Sequence, residues 1–414
     1  MHRTDPPALR KVLFVTHRIG VSPPGVGGWQ RSKMFYDAAR RLGPTEIVLV
    51  DSESANPIRD FEGAAERHVL EPDRFYLKRG IERQLIRIRR VLGNAEYAEE
   101  ARLSDLVRRL AGDAPDTLVV IRYAKTYWRT GLWRRPRVTG PLICIDVDDR
   151  DDQRMTSRLT AGFGRAAAAA AQPYIRLFAA ALKRRLARAD LVCFAAGADL
   201  WSFAAPTRSV VIPNAPGHAP AELPEAKPSS SRALLFLGTF AHAPNRTGLS
   251  WFLRHCWRGI LEKHPDARLR IAGYGPWEEN MRAETKELAN VDFVGAVDDL
   301  GAEYGASRIA LCPGFEASGS KVKLGEAMAF GRAVVSTTAS SRGYELPPGP
   351  ALRIADDPEA FVAACCAYLA DDALADRGGA EARRLQQETL SAAAITDRIE
   401  AELRALVCAR SDAP

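Results

Sequence analysis

Residues 311–337, LCPGFEASGSKVKLGEAMAFGRAVVST, hold the side chains of this chain best suited to chemistry. Their pattern predicts a strand, a glycine- and serine-rich loop, a short helix and a second strand. Lys321 and Lys323 fall in the first turn of that helix. There the macrodipole and the unpaired N–H groups favour anions and disfavour ammonium groups. Gly325 lies inside the helix, at a cost of about 1 kcal/mol relative to Ala. A phosphate at the helix start resolves the first conflict, because backbone N–H groups around Ser318, Gly319 and Ser320 can converge on it with both ammonium groups. Gly325 then lets a ligand or a neighbouring backbone come close. Glu326, roughly one turn on, is placed to accept hydrogen bonds from sugar hydroxyls. The alternative is a surface Lys323–Glu326 pair beside an ordinary Ser320 N-cap.

The elements that must position these residues alternate between strand and helix. Short β-rich apolar runs at 11–16, 46–51, 117–122, 141–146, 190–194 and 209–213 are separated mostly by helical stretches, the first at 29–42. A second series follows with ALLFLG, ARLRIAG, VDFVGAV, RIALCP and RAVVST. Alternation of this kind implies mostly parallel sheets covered on both faces. Between the two series, residues 214–232 are rich in Pro, Ala and Ser without periodicity, and are expected to form a linker. Ligands of such sheets bind beyond the carboxyl ends of the strands. In the second series those ends carry Gly238-Thr239, Gly273-Tyr274-Gly275, Gly295 and the 313–320 loop. In the first series His17, Arg122 and Tyr123 follow strands in the same way.

At 414 residues the chain is long enough for two domains. The expected division is a first domain at 1–213, the linker at 214–232, a second domain at 233–380 and a helical segment at 381–414 that packs back on the first. Hydrophobic residues make up 46% and no apolar run reaches membrane-span length. Seven cysteines, several within apolar runs, lack metal-ligand spacing and suit a reducing cytosol. A formal charge of +7 points to an acidic partner. Nucleic acid ranks last, since no zinc-finger, RRM or leucine-zipper pattern is present.

The stretch GSKVKLGEAMAFGRAVVST resembles the donor-site signature of retaining glycosyltransferases of family four, in the branch with a GS-x-x-K donor loop. FLGTFAHAPNRTGLSWF resembles the start of that family's donor domain, IAGYGP its glycine turn at the nucleotide base, and GVGGWQRS its first-domain glycine loop. The resemblance implies the GT-B fold: two Rossmann-like α/β domains with mostly parallel sheets facing a central cleft. It implies transfer of a sugar from a nucleotide-sugar donor to a glycan or lipid-linked acceptor, with retained anomeric configuration. Lys321, Lys323 and Glu326 are then the catalytic candidates. Gly27, Gly28, Gly238, Thr239, Asn245, Arg246, Gly273, Tyr274, Gly275, Ser318, Gly319 and Ser320 are the donor-binding candidates. Two departures from the family pattern are Ser318 in place of a first glutamate, and Thr239 and Pro244 in place of an arginine and a lysine. Lys321, Lys323 and Arg246 are expected to take over the phosphate charge.

The first domain is expected to bind the acceptor, with His17, Arg122 and Tyr123 as candidates. No cofactor is implied beyond the donor, and no metal is required. Asp146, Asp148, Asp149, Asp151 and Asp152 follow a strand and read as structural or solvated rather than metal-binding. Basic stretches at 78–90 and 122–137, interleaved with Ile, Leu, Trp and Tyr, suit an anionic membrane surface or a lipid-pyrophosphate acceptor. A solvated helix face is the alternative. The expected setting is cytoplasmic or peripheral on the inner face of the cytoplasmic membrane, in bacterial surface polysaccharide or glycolipid synthesis. Rival functions are a nucleotide-sugar epimerase of the same fold and a non-catalytic nucleotide-sugar binding protein.

Overall fold

The computed structural model describes residues 9–17, 27–50, 61, 63–70, 98–135, 140–315, 322–347 and 349–411. They fall into two compact units. The first runs to Ile212 and includes the chain again from Ile395; the second is Pro213–Ala394.

The first unit is built on strands β1 (Lys11–His17), β2 (Thr45–Val50), β3 (Glu66–Leu70), β4 (Thr117–Arg122), β5 (Leu142–Asp148), β6 (Leu191–Phe194) and β7 (Arg208–Val211). Their order is β3-β2-β1-β4-β5-β6-β7, and every pair is parallel. Helices α1 (Gly27–Arg40), α2 (Ala98–Ala111), α3 (Ala124–Thr130), α4 (Asp151–Ala170) and α5 (Gln172–Leu186) cover it. TLVVIR in β4 is buried at every position, the expected state of a central parallel strand with helices on both faces. Leu13, Val15, Val119, Ile121, Ile145 and Phe194 pack there with Tyr127 and Phe178.

The second unit has β8 (Ala233–Leu237), β9 (Arg268–Ala272), β10 (Val291–Gly295), β11 (Ile309–Cys312), β12 (Ala333–Ser336) and β13 (Leu352–Ile354). They are ordered β10-β9-β8-β11-β12-β13 and all parallel. Its helices are α6 (Ala243–His255), α7 (Trp257–Lys263), α8 (Glu278–Thr285), α9 (Leu300–Gly305), α10 (Val322–Ala329), α11 (Thr338–Ser341), α12 (Pro358–Ala370) and α13 (Asp372–Leu385). One core cluster joins Phe252, Trp257, Ile271 and Phe361; another joins Leu235, Leu324, Met328 and Val334. Both sheets reverse strand order once, at β1/β4 and at β8/β11. These are the positions where doubly wound sheets open a crevice.

Residues 214–232, expected as a linker, are fastened onto the second unit. Buried Arg308 donates to the carbonyls of Ser229 (3.0 Å) and Ser231 (3.2 Å). Arg332 donates to Ala226 O (2.8 Å) and Arg383 to Pro220 O (2.8 Å). Asp376 accepts from Ser229 N (2.9 Å) and Oγ (2.8 Å). A Pro-rich strap without a ladder leaves its carbonyls unpaired, and arginines from distant elements satisfy them. The helical segment expected at 381–414 is also divided. Its first part, the end of α13, belongs to the second unit. Helix α14 (Ala392–Ser411) joins the first unit from Ile395, where Arg41 pairs with Asp397 (2.6 Å) and Glu400 (2.8 Å).

Candidate functional site

At the β8/β11 switch point the ends of β8 and β9 meet the first turn of α10. Gly238 follows β8, and its N–H donates to Ala272 O at 2.9 Å, the last residue of β9. Phe240 N donates to Tyr274 O (2.7 Å), and Thr239 Oγ1 donates to the same carbonyl (3.3 Å). A Cβ on Gly273 would lie 2.5 Å from Gly238 O and 2.6 Å from the Phe240 ring. Gly273 is therefore required by the protein's own close approach. Gly275 has φ +125, in the region that favours glycine. Tyr274 between them is 60% exposed.

Gly238 serves a different purpose. A Cβ there would overlap Lys323 Nζ and come within 2.9 Å of Asn245 Nδ2. The missing side chain lets the Lys323 ammonium, from the first turn of α10, lie over the end of β8, 5.4 Å from the Phe236 ring centroid. Asn245, on α6, donates to Thr239 O (2.7 Å) and fixes the loop. Arg246, expected to carry phosphate charge, donates one N–H to Phe240 O (2.5 Å) and stacks on Trp277 (4.7 Å). Ser318, Gly319, Ser320 and Lys321 lie outside the described residues.

Glu326, on α10, is buried to 6% exposure. Its Oε1 accepts from Tyr304 Oη (3.3 Å), and its Oε2 is 2.9 Å from His218 Nδ1. Burial and then the Glu326 carboxylate push the Tyr304 hydroxyl well above its ordinary value, so Tyr304 remains a neutral donor. Cys312, at the end of β11, is raised to about 11 by burial, with Lys323 opposing and Glu326 adding to the shift. Gly325 faces Tyr344, whose Oη would be 3.2 Å from an added Cβ. A tyrosine hydroxyl, neither ligand nor backbone, occupies the space that this glycine leaves. His218 was not found from sequence, because it lies in the strap and meets Glu326 across 108 residues.

The β1/β4 switch point is closed by charge. Arg31 on α1 donates to Asp146 Oδ2 (2.9 Å) and Oδ1 (2.7 Å) and to Ile212 O (2.6 Å). Arg122 pairs with Asp146 and with Asp148 (3.3 Å), and donates to Ser32 Oγ (3.1 Å). Both arginine side chains are fully buried. Arg122, expected to face the acceptor, is thus engaged within the fold. The wider acidic cluster is neutralised in the same manner, Asp151 by Lys125 (2.7 Å) and Asp152 by Arg150 (2.6 Å). Tyr123 remains at the strand end with φ 74, its Oη 3.3 Å from where a Gly28 Cβ would stand. Gly27 opens α1, and His17 closes β1. One titratable group was not anticipated: Glu46, Glu66 and His68 on β2 and β3 offer ligand atoms within 4.8 Å of one another. Lys11 Nζ already neutralises Glu46 at 2.7 Å.

Comparisons with known proteins bear on the second unit most directly. Residues 231–371 match the family described as "Glycosyl transferases group 1". A phosphatidyl-myo-inositol mannosyltransferase of Mycobacterium leprae is 32% identical over 165 residues, which are 38% of this chain and 43% of that protein. An uncharacterized glycosyltransferase of Haemophilus influenzae is 33% identical over 92 residues, 22% of this chain and 26% of that one. The matches thus span between 26% and 43% of the curated relatives' lengths. Among solved structures, sucrose-phosphate synthase from Thermosynechococcus elongatus superposes with a TM-score of 0.63 at 16% identity, over 97% of this chain and 100% of that one. Anabaena HepE in complex with UDP gives 0.60 at 13% identity, over 95% and 100%.

Proposed function

For a chain with the GT-B fold whose residues 231–371 match the model of the group 1 glycosyl transferases, we propose transfer of a sugar from a nucleotide-sugar donor to a glycan or lipid-linked acceptor. The observation that carries it is the Lys323 ammonium lying over Gly238 at the β8/β11 switch point. An ammonium at a helix start adds to the attraction that the helix N–H groups have for a phosphate. Lys321 and residues 318–320 are assigned to the same diphosphate from their place in the GSKVKLGE sequence. Glu326, held by Tyr304 and His218, accepts from hydroxyls of the donor, those of the ribose first.

In the transfer, the bond between the anomeric carbon and the phosphate oxygen breaks. An acceptor hydroxyl oxygen bonds to that carbon, and its proton leaves to the phosphate. Negative charge builds on the leaving diphosphate, and cations aimed there beforehand lower the barrier. The lysines and the α10 N-terminus supply that charge, so no metal is assigned to the step. Retention of configuration rests on the likeness of GSKVKLGEAMAFGRAVVST to family four. The mannosyltransferase relative and the UDP complex of HepE support a nucleotide-sugar donor. The mannosyltransferase relative, named for a phosphatidyl-myo-inositol acceptor, supports a role in bacterial surface polysaccharide or glycolipid synthesis.

Thermal shift with UDP-, GDP-, ADP- and TDP-sugars tests the reading, since a bound donor stabilises the fold by mass action. One nucleotide series is expected to raise Tm, and its sugar to be released slowly as free sugar without acceptor. No shift with any series, or release of an epimerised sugar nucleotide, would overturn it.

A further inference from the structure

The stretch from 153 to 189 holds eight Arg and Lys residues and no Asp or Glu, a local charge of +8 in a chain whose formal net charge is +7. It forms α4 and α5. Helix α4 is broken at Gly164, with φ 83 and ψ 172. Gln172 Nε2 reaches back to Thr156 Oγ1 at 3.4 Å, so the chain reverses at the break and Phe163 stands at the tip. Phe163 is 76% exposed, although an apolar environment favours a phenylalanine by about ten-fold or more.

Helix α5 is divided into two faces. Ile175, Phe178, Ala181, Leu182 and Leu186 are buried against the first unit. Arg176, Leu177, Ala180, Lys183 and Arg184 are exposed, followed by Arg188 just beyond the helix. Among the described residues no carboxylate pairs with any of these basic groups. Arg185 on the inner side stacks on Trp128 (3.8 Å) and Trp133 (4.5 Å). Burial, and then the charges of Arg184 and Arg134, lower it to about 10. Positive charge is crowded here without internal compensation. Trp128 and Trp133, which the sequence offered as membrane-facing, hold that arginine instead.

We propose that the tip and the exposed basic face of the α4–α5 hairpin dock on an anionic lipid bilayer. Phe163 enters the headgroup boundary, and Arg176, Lys183 and Arg184 face lipid phosphate. An exposed aromatic on an alanine-rich hairpin, next to unpaired cations, has the composition of an interfacial anchor. Each Lys or Arg near such a surface strengthens partitioning about five-fold at moderate ionic strength.

Co-sedimentation of the full chain with vesicles tests this, and needs neither donor nor acceptor. Its failure would therefore leave the proposed transfer reaction standing, and the reverse also holds. Binding is expected to phosphatidylglycerol-containing vesicles, to weaken with salt, and to be absent from pure phosphatidylcholine. Joint Arg176→Gln, Lys183→Gln and Arg184→Gln replacement should lower partitioning about a hundred-fold with an unchanged melting curve. Phe163→Ser should lower it about ten-fold, and that loss should persist at high salt. Equal binding to neutral vesicles, or full binding by the triple variant, would overturn the proposal. So would tighter binding to polyphosphate or single-stranded DNA than to anionic vesicles, with no effect of Phe163→Ser, since that describes a generic polyanion site.

Discussion

The carboxyl edges of the two sheets share a topology and differ in what fills them. At β1/β4, two buried arginines meet Asp146 and Asp148, and their donors are engaged inside the unit. At β8/β11, the strand ends carry Gly238 and Gly273, and the space above Gly238 holds a lysine ammonium. A parallel sheet leaves the same problem at both places, a crevice where strand ends lack neighbours. Among the described residues the first unit fills it with ion pairs. The second solves it by omitting side chains, which lets a cation sit where an anion would improve its energy. The proposed diphosphate site is therefore assigned to the second crevice, where the lysine ammonium lies.

The largest test of that contrast removes the centre of the charge network. Asp146→Ala leaves Arg31 and Arg122 buried without the carboxylate they share. Breaking a buried pair in this way costs about 3–5 kcal/mol, and Arg31 is already lowered by its burial. Urea unfolding of the first unit should move by that amount. A change below about 1 kcal/mol would mean that water, rather than Asp146, solvates the arginines.

The second test uses alkali. Cys312, Cys256 and Tyr368 in the second unit are all raised by burial, to about 11, 12 and 12. A group whose folded value is raised keeps its proton while the unfolded chain loses it. The associated stability is complete below the unfolded value and declines as pH rises through the folded one. For Cys312, ordinarily at 9.0, the window runs from about 9 to 11 and the loss is about 2–3 kcal/mol. Cys312→Ala should therefore cost stability at pH 7, and the gap to wild type should narrow as pH approaches 11. A gap independent of pH would contradict the assignment.

The third test separates the two glycines. In Gly273→Ala the new methyl meets the Gly238 carbonyl and the Phe240 ring, neither of which can easily move. Overpacking of this kind costs about 1–3 kcal/mol. In Gly238→Ala it meets the end of a flexible lysine, so the fold should lose little while donor affinity falls about ten-fold or more, the weight of a hydrogen bond to a charged group. Thermal melting and donor titration on both variants measure the split. Equal stability losses would remove the distinction between a glycine kept for the protein and one kept for Lys323.

Much of this was legible in the sequence, and what was missed has physical causes. The buried strands read clearly because central parallel strands are apolar on both faces, as in TLVVIR and LICIDVD. The edge strands β3 and β13 did not, since ERHVL and LRI are short, charged and partly exposed. The strap at 214–232 read as a linker because its partners, Arg308, Arg332 and Arg383, lie far away in sequence. Lys323 was visible from a conflict with helix electrostatics, and Glu326 from its place one turn beyond the helix start. Arg122 and Arg246 looked equally available, and only their partners in space show that the fold engages them. A basic residue at a strand end is therefore ambiguous until its carboxylates and carbonyls are located.

The smallest effect on stability is expected at Lys323, and its sign is informative. The side chain lies at a helix start that repels cations, with Cys312 and Glu326 nearby. Lys323→Gln should leave the ligand-free protein as stable as before, or more stable by a few tenths of a kcal/mol. The same change should weaken donor binding by about 1.5–3 kcal/mol, the range for a hydrogen bond to a charged group. Turnover should fall further, because charge on the leaving diphosphate is greatest in the transition state. If Lys323 instead serves only to neutralise Glu326, glutamine should lower the stability of the ligand-free protein and leave donor affinity unchanged. Melting curves without ligand, read beside donor titration and steady-state rates, give opposite signs for the two roles. His218→Gln provides the internal control. It removes the imidazole at Glu326 Oε2 without touching the charge at Gly238, so donor KM should rise with kcat little changed. A fall in kcat as large as that of Lys323→Gln would mean that Glu326 and Lys323 act as one group, and the assignment of diphosphate to one and ribose to the other would fail.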